Sequence, residues 1–145
     1  MREDLEIAKN RLRKKGLTLV VVKDSRVLFE SKARGVSSFI EALDVLGDNL
    51  KDASVADKVI GKAVALLCIY AGVRAVYALT LSLEAKQVFE NYKVCLEWDR
   101  LVEKILDVSG RDACPFEKAA IEIDNPEDAY RKFKALLKNL KSNYK

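Results

Sequence analysis

Two stretches of the chain carry the residues best able to do chemistry. They are Cys114-Pro115-Phe116-Glu117, and Asp57-Lys58 with Lys62 four residues on. Cys114 directly precedes a proline that suits the first position of a helix. A thiolate there would feel free backbone N–H groups and the positive end of the helix dipole, and Arg111 nearby would lower its pKa further. One reading is a nucleophile or ligand-binding thiol, with Arg111 among the ligand contacts. The other is a small, inert residue that fits a cap. Glu117 likewise reads either as the acid of a capping box or as a general acid/base.

The segment Val55–Ala71 reads as one long helix capped by Ser54, with Asp57 in a capping-box position. Lys58 and Lys62 then share a face of its first turns. Cations at a helix start oppose the dipole by about 0.3–1 kcal/mol each. Asp57 and Asp52 could compensate, or a bound anion such as a phosphate or carboxylate, and a Schiff-base lysine is a further option. Gly61, inside this helix, costs up to ~1 kcal/mol relative to alanine unless close packing or a ligand demands it. Asp57, Cys114 and Glu117 together make a poor structural zinc site, so no metal is expected.

The 145 residues contain no histidine. That excludes histidine-based triads and histidine-bearing zinc sites. Three cysteines, Cys68, Cys95 and Cys114, form no disulfide framework. Cys68 and Cys95 are expected in the core, and Trp98 either there or at a pocket edge. No apolar run approaches the length of a membrane span, and the charged N-terminus lacks a signal-peptide core, so a cytoplasmic protein is expected. Basic residues at Arg11–Lys15 and along Arg131–Lys145 lack an aromatic or glycine-rich recognition motif, and read as solvated faces rather than a nucleic-acid surface.

The elements that must position these residues follow the chain. A charged helix from about Glu3 to Lys15 has a thin apolar stripe, Leu5, Ala8 and Leu12. It reads as a peripheral addition (residues 1–16) to a single domain spanning 1–145. Leu17–Val22 and Val27–Glu30 make a β-hairpin about Lys23–Arg26. An amphipathic helix over Ser37–Leu46 precedes the long apolar one. Then come a strand (Val73–Leu79), a helix (Leu83–Tyr92), a strand (Val94–Trp98), a weaker helix over Leu101–Leu106, and two helices after Cys114. The last runs from Pro126 to about Lys141 behind Asn125. Alternating strands and helices argue for parallel crossovers.

A hairpin, a buried helix, β-α-β and a helix introduced by a cysteine motif resemble the cytidine-deaminase-like fold. In that fold the two helix starts carry His-x-Glu and Pro-Cys-x-x-Cys. Ala56-Asp57-Lys58 and Cys114-Pro115-Phe116-Glu117 stand in their places, without the histidine and with one cysteine. More closely, Ala56-Asp-Lys-Val-Ile-Gly-Lys-Ala63 and Cys114-Pro-x-Glu117 resemble a prokaryotic family known as domain of unknown function 1893, from Leu17 to about Leu137. The resemblance implies a three-layer α/β/α sandwich with a mixed sheet of four to five strands. It implies no established activity.

The expected site lies where the two motif helices begin. Lys58, Lys62 and Arg111 would bind a small anionic or nucleotide-like molecule there. Cys114 would be the thiol, and Asp57 or Glu117 would handle protons. No cofactor is called for. A non-catalytic binding or regulatory domain is the alternative, an RNA-binding module a third, and homo-oligomerisation is left open.

Overall fold

A computed structural model describes residues 2–33, 35–105 and 115–143. Five strands form one mixed sheet in the order β2-β1-β3-β4-β5. They are β1 (Leu19–Lys23), β2 (Arg26–Ser31), β3 (Ser54–Ile60), β4 (Ala75–Ser82) and β5 (Cys95–Val102). β1 runs antiparallel to both β2 and β3, whereas β3, β4 and β5 are parallel. The hairpin closes through Asp24 and Ser25, both at positive φ, and their N–H groups donate to the Asp4 carboxylate at 3.1 and 3.0 Å. The expected turn therefore stands, and it is stapled to the first helix.

Alternation along the strands builds two cores. Leu19, Val21, Val55, Val76 and Ala78 face one way, and Val20, Val22, Ala56, Ala75 and Tyr77 the other. The first face carries α2 (Gly35–Leu46), α3 (Lys62–Ala71), α4 (Leu83–Asn91), α5 (Pro115–Ala120) and α6 (Pro126–Asn143). A short 3-10 turn, Gly47–Leu50, follows α2. The second face is covered by α1 (Arg2–Lys15), which buries Leu5, Ala8 and Leu12 on Tyr77 and its neighbours. Arg13 donates to Asp99 at 2.8 Å and to the Tyr77 hydroxyl at 3.1 Å, while that hydroxyl donates to Asp99 at 2.6 Å. The helix expected at the periphery is thus the whole third layer among the described residues.

The largest correction concerns Val55–Ala71. It is no single helix: Ser54–Ile60 is the central strand β3, and α3 begins only at Lys62. A strand between two others is buried on both faces and reads as an apolar run without alternation, which periodicity does not separate from a buried helix. Gly61 marks the join as the N-cap of α3, at φ −102° and ψ −173°. Two smaller corrections follow. Leu101 and Val102 end β5 rather than opening a helix, and Cys95 is exposed because β5 is an edge strand.

Candidate functional site

The three parallel strands release their carboxyl ends on one edge of the sheet, where ligand crevices of α/β folds lie. β3 passes through Gly61 into α3, β4 through Ser82 into α4, and β5 into Glu103-Lys104-Ile105. Ser82, Glu84, Glu103, Lys104, Ile105 and Glu117 line a crevice there of about 70 Å³. That space suits a water, an ammonium or the tip of a larger ligand, and not a whole nucleotide.

Glu117 dominates it. It is the third residue of α5. Its side chain crosses to α3, where the N–H groups of Lys62 and Ala63 donate to Oε2 and Oε1 at 3.1 and 3.2 Å. Gly61 offers α3 no side-chain cap, so a carboxylate from a distant element satisfies two of the orphan donors. This also answers why a glycine precedes α3. A Cβ there would collide with the Glu117 carboxylate and stand 3.0 Å from Ile105 Cγ1. Burial pushes the Glu117 pKa above its ordinary value. The two backbone donors and Lys62 pull it down, and the Glu84 charge adds to the rise. A carboxyl held in that balance keeps its proton to higher pH than an exposed glutamate does.

The remaining expected residues separate. Lys62 stays beside the site, but its ammonium donates to the Ile121 carbonyl at 3.3 Å and stands 3.6 Å from Asp124. Its charge is therefore matched from the far end of α5, and not by Asp57, Asp52 or a required anion. Lys58 cannot share a helix face with it, because Lys58 is a strand residue. It lines a groove on the α1 side of the sheet with Leu12, Arg13 and Leu79. The anion cradle expected from the lysine pair is not formed, and Glu117 already occupies the amides an anion would take.

Asp57 is neither a cap nor part of the lining. It is 3 % exposed on β3, between Leu19 and Ala78, on the face that packs against α3. Oδ1 accepts from the Val59 N–H at 3.2 Å, while Oδ2 is buried with no hydrogen-bond partner among the described residues. Burial raises its pKa to about 8, backbone donors only partly opposing. Burial, and after it the Asp57 charge, also pushes the thiol of Cys68 well up, which leaves that cysteine inert. Cys114 and Arg111 lie outside the described residues.

Glu84, Glu103 and Glu117 do not converge as ligands: no group of three or more histidine, cysteine, aspartate or glutamate side chains among the described residues could hold a metal ion. Sequence reasoning missed Ser82, Glu84, Glu103 and Lys104. The available signal was their position at or just past the end of a strand. Ser82 also caps α4, accepting from the Ala85 N–H at 3.1 Å.

The family model "TM1506: Domain of unknown function (DUF1893)" matches residues 7–137. The chain belongs to that family. A DUF1893 family protein from Thermotoga maritima shares its structure at a TM-score of 0.85 and 30% identity, over 93% of this chain and 90% of that one. Family membership therefore covers the sheet, its helices and both sides of the crevice. Looser likenesses, at 20% identity, reach RibD of Acinetobacter baumannii (TM-score 0.49, 68% of this chain, 33% of that chain). They also reach a diaminohydroxyphosphoribosylaminopyrimidine deaminase/5-amino-6-(5-phosphoribosylamino)uracil reductase from Thermotoga maritima (TM-score 0.47, 82% and 41%). The chain thus spans about a third to two fifths of those proteins. A search of curated proteins finds no match. No described helix is long and apolar enough to cross a membrane.

Proposed function

We propose that this domain, of deaminase-like layout, binds a small molecule through a nitrogen-bearing group at the carboxyl ends of β4 and β5, and that Glu117 exchanges a proton with it. One observation carries the reading. Glu117 is a mostly buried carboxyl held on the amides of α3, with an elevated pKa, at the wall of a crevice whose other acids are Glu84 and Glu103. Three carboxyls against Lys104 favour a hydrogen-bond donor or cation over the anion expected from the lysine pair. An amine, amidine or amino-substituted heterocycle presents such an edge to a carboxylate, and the heterocycle keeps the nucleotide-like part of the expectation.

The non-catalytic reading has its own support. Both oxygens of Glu117 are engaged by backbone donors, and the crevice holds little more than the tip of a ligand. The two readings part on titration. With 13C-labelled glutamate, the Glu117 carboxyl resonance is followed against pH with and without ammonium, guanidinium and aminopyrimidine. The proposal expects a pKa above that of exposed glutamates, moved by at least one probe and lost in Glu117→Gln. A resonance indifferent to every probe would overturn the binding site. A resonance that responds to binding but never changes protonation near neutral pH would leave a binding domain without proton chemistry.

A further inference from the structure

The opposite end of α3 opens onto a larger space. A cleft of about 540 Å³ lies between the C-terminal ends of α2 and α3, lined among others by Leu43, Asp48, Lys51, Tyr70 and Tyr130. That volume falls within the usual range for small-molecule sites, roughly 300–1,000 Å³. Tyr70, in the last turn of α3, stacks on Tyr130 of α6 with ring centroids 4.5 Å apart and planes within 10°. The Lys134 ammonium sits over Tyr130, 5.4 Å from its centroid. Tyr70 is 41% exposed and lines the cleft, so its ring is the aromatic surface offered to a ligand.

Hydrogen-bonding groups surround that platform. A helix leaves its last carbonyls without intrahelical donors. The αL cap at Gly72 satisfies those of Cys68 and Ile69, and neither the Tyr70 nor the Ala71 carbonyl accepts a backbone donor among the described residues. These carbonyls and the Asp48 carboxylate accept. Lys51, exposed on the same wall, supplies a cation with no ion pair among the described residues.

We propose that this cleft binds a free mononucleotide. Its base stacks on Tyr70, its exocyclic amino group donates to the last carbonyls of α3, its ribose hydroxyls donate to Asp48, and its phosphate meets Lys51. The assignment does not depend on the strand-end crevice, and nucleobases stack on aromatic side chains whatever their sequence context.

Isothermal titration with AMP, UMP, adenosine, inorganic phosphate and a single-stranded adenosine pentanucleotide tests it. AMP is expected to saturate one site per chain, ahead of UMP, which lacks the exocyclic amino group, while phosphate alone gives no saturation. Tyr70→Ala should weaken AMP about tenfold or more, from the loss of stacking. Lys51→Ala should weaken AMP and leave adenosine unchanged. Tyr70→Leu keeps the apolar packing and removes the ring, so it separates lost stacking from lost folding when both variants are checked by thermal unfolding. Absence of saturable AMP binding, or equal binding by wild type and Tyr70→Leu, would overturn the proposal. Pentanucleotide binding more than tenfold tighter than AMP and steeply salt-dependent would overturn the free mononucleotide in favour of RNA.

Discussion

The two ends of α3 are built on opposite plans. At its start the chain supplies its own ligand: a glycine clears the way, and the Glu117 carboxylate fills the space against two backbone amides. At its finish Tyr70, Ala71 and Gly72 line a wide cleft beside a stacked tyrosine pair. One end is tight and filled by a side chain, the other roomy and capped only by backbone. A helix terminus in a fold of this kind is therefore no guarantee of an open site. What matters is whether a side chain of the protein reaches it first. Between the ends, Asp57 buries a third polar group with neither plan applied to it.

Asp57 offers the largest effect and shows what a buried carboxyl costs when it is only partly satisfied. Its folded pKa of about 8 lies above the unfolded carboxylate value, so the native state holds the proton more tightly. The associated stability is complete at acid pH and falls as pH rises from about 4 to about 8, by roughly 1.4 kcal/mol per unit at most. Asp57→Asn should remove most of that slope, and urea unfolding of both proteins at pH 5 and pH 8 measures it. Parallel slopes would mean that the carboxyl is hydrated or partnered in solution.

Next in size is the tight end. Gly61→Ala should destabilise by about 2–3 kcal/mol through overpacking against Glu117. Pairing it with Glu117→Ala should recover part of that loss, so the double-mutant cycle must be non-additive. Additive losses would dissolve the idea of a clamp. Glu117→Gln keeps the shape but turns an NH2 group toward one of the two amides, and should cost about 1 kcal/mol in chemical denaturation at pH 7. At the open end, Gly72→Ala should cost about 1 kcal/mol, because its φ of 77° penalises a side chain while the nearest atom, Lys51 Cγ, would lie 3.4 Å off in ordinary contact. If Gly72→Ala proved costlier than Gly61→Ala, the contrast between the ends would be reversed.

Much of the fold was legible from local chemistry. Acids begin and bases finish α1, β-branched residues surround the turn at Asp24-Ser25, and Asn125 accepts from the Glu127 N–H at 2.8 Å as the N-cap of α6. The segment from Val55 failed because β3, buried on both faces at most positions, runs through Gly61 straight into the apolar α3, and no alternation marks where the strand ends. That single misreading placed Lys58 beside Lys62 and Asp57 at a helix start, and the anion cradle fell with it. Glu117 was recognised as a residue that matters, but its partner was not. A capping box joins neighbours in sequence, whereas the observed cap joins residues 54 and 55 positions apart. No local rule reports such a pairing. The tyrosine stack was equally invisible, since Tyr70 and Tyr130 meet only after α6 packs on α3.

The single-helix layer on the far side of the sheet has a practical consequence. Val20, Val22, Ala56 and Tyr77 are shielded from water on that face by α1. Shortening the chain to a start near Leu17 would bare the apolar surface that α1 covers, the kind of surface through which molecules adhere to one another. For this protein the charged first helix acts as a solubility shield, and removing it should yield aggregate rather than a trimmed, working domain.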